Sequence, residues 1–341
     1  GNRPRLETAR TLTEVEIISV RKDQIIPLIQ NNNSVALKIL RWFSRKLRDY
    51  DAALTRMALR KPLFEDEEMI RSVGDYYFKH KKHRAAHYCY TRFLQIRPDH
   101  AESAHVRERM RTTQAAVDGQ PLYSKLDEFT RIYPDKAMLF SEHEKGDEVF
   151  IVQKGRVQIA KIVDDKELLL AVSGPGDVVG EMAILENKPR NASAIALGET
   201  KVLVMNRENF YFMVQSNPQT VHKILTLLSE RIWVAYRQFE NLAIKDDYKR
   251  LLDCAMIQLE KQKVNLLENV EYHLGLAPAD LVMLAGLGED KIDAMTEKLL
   301  DDPDIALFNN QVVIKDLQDF VKQVESIRKF QLSGRNNPAN G

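Results

Sequence analysis

The segment GEMAILENKPRNASA, residues 180–194, is where the reading of this chain begins. Gly180 lets backbone approach a ligand closely, and the residues after it can form a short helix whose first N–H groups point at an anion. Glu181 can accept a hydrogen bond from a sugar hydroxyl, and Arg190 can fork two donors onto a phosphate. Met182 and Ala183 continue the turn, Ala192 is small enough to permit close approach, and Ser193 adds a hydroxyl donor. A Gly-Glu pair or a Pro-Arg pair alone reads as a surface ion pair beside a turn. Together they are far more specific.

Outward from this cassette the pattern is first β. Residues 134–204 hold β-branched segments broken by Gly146-Asp147, Gly155, Asp164-Asp165 and Gly174-Pro175-Gly176-Asp177, the signature of a barrel or jelly roll. Residues 218–242 read as one long helix, with Ile224, Leu225, Leu228, Ile232, Ala235, Phe239 and Leu242 along one face. Helices continue to about 262 and again over 277–300. A strand pair at 305–307 and 312–314, a helix over 315–330 and a disordered tail at 331–341 complete the chain.

Residues 130–232 resemble the cyclic-nucleotide-binding domain shared by protein kinase A regulatory subunits, gated channels and the Crp/Fnr regulators. The turns at 146–147, 155 and 176–177 match that family's barrel, and the cassette matches its Gly-Glu-Met-Ala-Leu…Pro-Arg-x-Ala-Ser/Thr pattern. The resemblance implies that Glu181 takes the ribose 2′-hydroxyl and Arg190 the cyclic phosphate. The Gly180 and Ala192 backbones and Ser193 complete the cradle. Asn191 stands where many cAMP sites carry Ala and many cGMP sites Thr, so cAMP is the expected ligand with cGMP left open. Ala235-Tyr236 stands where the catabolite activator offers Thr-Ser to adenine. Tyr236 is therefore either a base contact or an exposed or dimer-facing residue.

The long helix and residues 243–330 resemble the dimerisation helix and winged helix-turn-helix of the Crp/Fnr family. Leu281, Leu284, Gly286, Ile292, Met295 and Leu299 fall on its turn and helices, and FNNQVVIK at 308–315 on its wing. The resemblance implies a homodimer. Binding to DNA is disfavoured, because the positions that usually carry Ser-Arg-Glu and a further Arg read Gly288, Glu289, Asp290 and Ala294. Residues 243–330 hold eleven Lys/Arg against seventeen Asp/Glu, and affinity for DNA comes largely from cations displacing counterions. The expected output is contact with a protein partner, with a DNA-binding regulator as the alternative and a ligand-free scaffold third.

Shifting the chain by 185 positions aligns 2–44 with 187–229 without a gap. Pro4/Pro189, Arg5/Arg190, Ala9/Ala194, Leu12/Leu197, Glu14/Glu199, Gln30/Gln215, Lys38/Lys223, Leu40/Leu225 and Ser44/Ser229 are among the identities. Residues 1–58 thus read as the back half of a second such domain, its front half outside this chain. Leu6-Glu7 replaces Asn191-Ala192 there, and the carboxylate excludes a phosphate. Between the copies, Ile70, Val73, Gly74, Tyr77, Ala86, Tyr90, Phe93 and Pro98 resemble one tetratricopeptide repeat, with Ile70 in place of the leading Trp. That places a helical linker at 59–118, the main domain at 119–242 and a winged-helix domain at 243–330, in an α+β chain.

Bulk properties agree with this. The 341 residues carry a formal net charge of +1, which leaves no global field for nucleic acid or anionic membrane. Cys89 and Cys254 are too few for a disulfide framework or a four-ligand zinc site, as in a reducing cytosol. No apolar run approaches the ~20 residues of a spanning helix, and the first residues do not form a signal peptide. A cytoplasmic location and no membrane association are expected. No Ser-His-Asp, Cys-His or metal-ligand constellation points to an enzyme or a cofactor.

Overall fold

Alternating apolar residues along 130–206 pair into antiparallel strands in the computed structural model, which describes residues 9–30, 32–59, 69–118, 121–163 and 165–335. Two compact units result. One comprises residues 1–50, 65–158 and 173–236, and the other 51–64, 159–172 and 237–341.

In chain order the helices before the sheet are α1 (Lys22–Gln30), α2 (Asn33–Leu59), α3 (Met69–Lys79), α4 (His83–Ile96) and α5 (Ser103–Thr113). The strands are β1 (Ser124–Lys125), β2 (Thr130–Tyr133), β3 (Met138–Phe140), β4 (Glu148–Val163), β5 (Lys166–Ser173), β6 (Val178–Val179) and β7 (Ser193–Asn206). The short α6 (Glu181–Glu186) lies between β6 and β7, and α7 (Arg207–Ser216) and α8 (Pro218–Asn241) follow. The sheet runs β1-β2-β7-β4-β5, with β3 on β7 and β6 on β4. Strand β7 is its hub, pairing Leu203 with Thr130, Thr200 with Tyr133 and Ile195 with Met138.

Gly155 departs from expectation. The sequence reads as a turn there, but β4 continues through it as a single 16-residue strand. Gly155 has φ +81°, and a Cβ on it would lie 2.5 Å from the Glu199 carbonyl oxygen. Glycine here permits β7 to approach rather than breaking the strand.

Helices α3 and α4 form a close hairpin. A Cβ on Gly74 would sit 2.9 Å from the Tyr90 ring, and Ala86 is fully buried, so small residues set the approach. Ile70, Tyr77, Tyr90 and Phe93 fill the interior. The Cys89 thiol packs against Met138 Sδ of β3 (3.7 Å) and Ser141 Oγ just after it (3.6 Å). Residues 60–68, within the linker expected at 59–118, lie outside the described residues.

The upstream segment that aligns with 187–229 is helical in the same register. Helix α1 begins at Lys22 and α7 at Arg207, α2 at Asn33 and α8 at Pro218, each 185 residues apart. Residues 9–21, the counterpart of β7, form no strand. The cassette remnant at 4–8 lies outside the described residues. On α8, Leu225, Leu228 and Ile232 of the apolar face are buried within this one chain.

The second unit contains α9 (Asp247–Lys261), β8 (Tyr272–His273), α10 (Pro278–Leu284), α11 (Ile292–Asp301), β9 (Ile305–Phe308), β10 (Gln311–Ile314) and α12 (Leu317–Arg335). Its three-stranded sheet has the order β8-β10-β9. Asn309 and Asn310 turn the β9–β10 hairpin at φ 48° and 58°, as a two-residue type I′ loop requires. Leu251, Leu281, Leu299, Val312, Ile314 and Phe320 are among its core residues. Helix α12 runs to Arg335, past the boundary of the tail expected at 331. No proline lies between its start at Leu317 and Pro338 to stop it. Residues 336–341 lie outside the described residues.

Candidate functional site

The cassette folds as a six-residue helix with a left-handed residue at each end. Gly180 has φ +88° and Asn187 φ +53°. Helix α6 thereby carries Glu181 at its start and Glu186 at its end, and a three-residue link, Asn187, Lys188 and Pro189, delivers Arg190. Met182 and Ala183 are buried, as are Ala192 and Ser193 on the other side of that link.

Arg190 is 6% exposed, and two glycines enclose its guanidinium. A Cβ on Gly180 would lie 2.4 Å from Nη1, and one on Gly146 would lie 2.6 Å from Nε and Cζ. Nη1 donates to the Gly180 carbonyl (2.6 Å) and Nη2 to the Glu148 carbonyl (2.7 Å). The ring of Phe140 lies 4.2 Å from Cζ. Nε, although buried, has no partner. Burial pushes the pKa of this guanidinium down from its ordinary value, opposed by the charges of Glu144 and Glu181. Thus, among the described residues, a nearly inaccessible cation has only neutral carbonyl acceptors.

Glu181 is 1% exposed. Its Oε1 accepts a hydrogen bond from Nη1 of Arg231 on α8 (2.6 Å), and its buried Oε2 has no partner. Sequence reasoning missed Arg231. The available signal was a lone arginine between Leu228 and Ala235 on an otherwise apolar helix face, since residues three and four apart are neighbours.

The loop 141–144 holds the cassette from the side. His143 N–H donates to the Arg190 carbonyl (3.0 Å), and Arg190 N–H donates to the Glu144 carbonyl (2.8 Å). Ser193, read as a phosphate donor, accepts from the Glu142 N–H through its Oγ (3.0 Å) and is fully buried. The Glu144 carboxylate accepts from Tyr88 Oη (3.0 Å) and pairs with Arg92 (2.7 Å), both on α4. A cavity of about 500 Å³ opens beside Arg190, walled also by Tyr88, Arg131, Tyr133, Phe140 and Phe150. Arg131 is bound there by both oxygens of Glu148 (2.8 and 2.5 Å). Asn191 is half-buried. Tyr236 packs its ring edge-on against Tyr50, with 6.2 Å between centroids.

In the second unit, Glu289, Asp290, Asp293, Ala294 and Glu297 are exposed along and before α11. Lys291 is bonded to Asp247, which lowers the carboxyl's pKa. Among the described residues no group of acidic, histidine and cysteine side chains could hold a metal ion, and no helix is long and apolar enough to cross a membrane.

Residues 130–217 match the cyclic nucleotide-binding domain family. The cyclic AMP receptor protein of Thermus thermophilus is 25% identical over 187 residues, 54% of this chain and 83% of that protein. A CRP-like cAMP-activated global transcriptional regulator of Mycobacterium tuberculosis is 31% identical over 101 residues, 29% of this chain and 45% of the relative. A solved structure of a CooA variant from Carboxydothermus hydrogenoformans is similar at a TM-score of 0.46 and 20% identity, covering 60% of this chain and 88% of that one. These relatives are receptors and regulators rather than enzymes.

Proposed function

We propose that this chain, which carries a cyclic nucleotide-binding domain at residues 130–217 and has Crp/Fnr-type homologues, is a regulator that responds to a cyclic nucleotide, cAMP in the first instance. One observation carries the reading. Two buried, opposite charges flank the cassette, Arg190 and Glu181, and each has an unused polar atom, Nε and Oε2. A buried charge left this way costs stability unless something completes it. The cyclic phosphate exchanges the neutral carbonyl acceptors of Arg190 for charged oxygens, and a ribose hydroxyl donates to Glu181. Because Glu181 also holds Arg231, ligand binding bears directly on α8. The ligand moves the equilibrium only by its differential affinity for the two states of that contact.

Residues 243–330, which follow the nucleotide-binding domain and its long helix, are the output domain, and two readings of the output stand. The name of the Mycobacterium tuberculosis relative supports a DNA-binding regulator, as does the helix-turn-helix order α10–α11 followed by a β9–β10 wing. The exposed carboxylates of Glu289, Asp290, Asp293 and Glu297 support a protein partner, since against DNA phosphates only Lys298 and Lys291, the latter bonded to Asp247, compensate them. We also read residues 1–58 as the back half of a second nucleotide-binding domain, supported by the 185-residue register of α1 and α2 with α7 and α8, and α3–α5, within the linker at 59–118, as a tetratricopeptide-like spacer. Homodimerisation through α8 belongs to this reading by analogy with the family.

Calorimetric titration with cAMP and cGMP tests the ligand, and Glu181→Gln is expected to weaken binding about tenfold. No heat with either nucleotide at millimolar concentration removes the reading. A mobility shift at low salt against pooled random duplexes, with and without nucleotide, separates the outputs. Retention below micromolar protein selects DNA.

A further inference from the structure

The cassette is held from behind by a helix of the upstream copy. Ser44 and Arg48, one turn apart on α2, both face α6. Ser44 Oγ donates to Glu186 Oε1 (2.5 Å), and Arg48 Nε donates to Glu186 Oε2 (3.0 Å). All three side chains are buried, Glu186 to 1% side-chain exposure. Glu186 closes α6, where a carboxylate opposes the helix dipole and needs a cation. Arg48 supplies one.

Arg48 makes a second bond that matters more. Its Nη2 donates to the Pro189 carbonyl (3.2 Å), which belongs to the peptide unit leading into Arg190. The N–H of that same unit donates to the Glu144 carbonyl (2.8 Å). One peptide plane is thus held at both ends, by α2 on one side and by loop 141–144 on the other. The next carbonyl, that of Arg190, accepts from His143. The direction in which the Arg190 side chain leaves the backbone is set by this plane.

We propose that Ser44 and Arg48 are positioning residues of the nucleotide site, and that α2 conveys the state of the upstream copy to the affinity of this cassette. The inference rests on the nucleotide-binding reading for its ligand, but the mechanical part stands on the contacts alone. By the 185-residue register, α2 is the counterpart of α8. The cassette therefore lies between two equivalent helices from successive repeats. Helix α8 bonds the start of α6 through Arg231–Glu181, and α2 bonds its end through Arg48–Glu186. Displacement of α2 releases the Pro189–Arg190 plane and misaims the guanidinium.

The experiment compares wild type with Arg48→Met, Arg48→Lys, Ser44→Ala and, as a surface control on the same helix, Arg45→Met, all in the full chain. Calorimetry with cAMP and cGMP is expected to show at least a tenfold loss for Arg48→Met. A partial loss is expected for Arg48→Lys, which keeps the charge but cannot fork between Glu186 and Pro189. Ser44→Ala should lose about threefold, and Arg45→Met should match wild type. In an Arg190→Ala background, Arg48→Met should add nothing, a non-additivity that a merely structural role does not produce. Amide exchange over 184–192 without nucleotide is expected to quicken at least tenfold in Arg48→Met. If Arg48→Met does not fold, Ser44→Ala carries both measurements. Unchanged exchange in a folded variant overturns the positioning role. Unchanged nucleotide affinity alongside quickened exchange overturns the coupling. A wild type that binds neither nucleotide sinks the nucleotide reading instead, and the exchange data still decide whether α2 holds the cassette.

Discussion

Residues 9–21 and 193–206 share one pattern and have different structures. Ala9, Leu12 and Glu14 match Ala194, Leu197 and Glu199, and Ile17-Ile18 match Val202-Leu203. The later segment is β7, with Ala194, Ala196 and Val202 fully buried and partners on β2, β3 and β4. The earlier one forms no strand and is open, with Leu12 92% and Ile18 88% exposed. The helices that follow each segment begin in the same register. A helix satisfies its backbone from within, so its sequence suffices once an amphipathic face finds cover. A strand satisfies its backbone only with another strand.

The sharpest way to break this comparison is amide exchange. Amides over 194–204 are expected to exchange about a thousandfold more slowly than those over 10–20. Equal protection would mean that the upstream segment finds a partner, and the contrast would fail. Next in size is the ligand. Arg190→Ala should lose a charge-assisted contact of about 2–5 kcal/mol, roughly thirty-fold or more in affinity. Its register mate Arg5→Ala should change nothing measurable by calorimetry. A comparable loss at Arg5 would make the two copies functional equals.

Smaller effects probe what β7 needs from its neighbours. Gly155→Val must take a left-handed φ and meet the Glu199 carbonyl, at about 3 kcal/mol. Gly198→Ala, at φ +73° with nothing near its Cβ, should lose about 1 kcal/mol. Similar melting temperatures for the two would show that the close approach is unimportant. The smallest effect is expected at His87 of α4, whose Nδ1 lies 3.0 Å from Thr113 Oγ1. Burial lowers its pKa below the usual 6.5. Above pH 6.5 the ring is neutral folded and unfolded, so it contributes nothing. As pH falls, the unfolded chain takes up the proton first and stability declines until the folded pKa is passed. Melting curves at pH 7.5 and 5.5 should differ less in His87→Gln than in wild type.

Local features were legible in the sequence and distant pairings were not. The long helix α8, the β9–β10 hairpin with its Asn309-Asn310 turn and the Gly74–Ala86 approach follow from period, turn chemistry and side-chain size. The cassette's Gly180, Glu181 and Arg190 were legible for a similar reason, because their spacing within one short segment is itself the signal. Arg231–Glu181 and Arg48–Glu186 bridge 50 and 138 residues, and no periodicity encodes which distant arginine meets which carboxylate. Gly155 misled because glycine punctuates turns and also permits close strand approach, and only the neighbouring strand distinguishes them. The guanidinium of Arg190 turned onto two carbonyls was not foreseeable from a motif that names the residue but not its rotamer.

The buried thiols make the chain convenient for spectroscopy. Cys89 and Cys254 are the only cysteines in the sequence and are fully buried, and burial raises both pKa values far above the ordinary thiol range. Neither presents a thiolate to a maleimide at neutral pH. A single engineered cysteine at an exposed site on α2, such as Arg45→Cys, and another on α8, such as Thr226→Cys, can therefore carry a donor and an acceptor dye without removal of the native residues. The distance between the two helices could then be followed in real time as nucleotide is added.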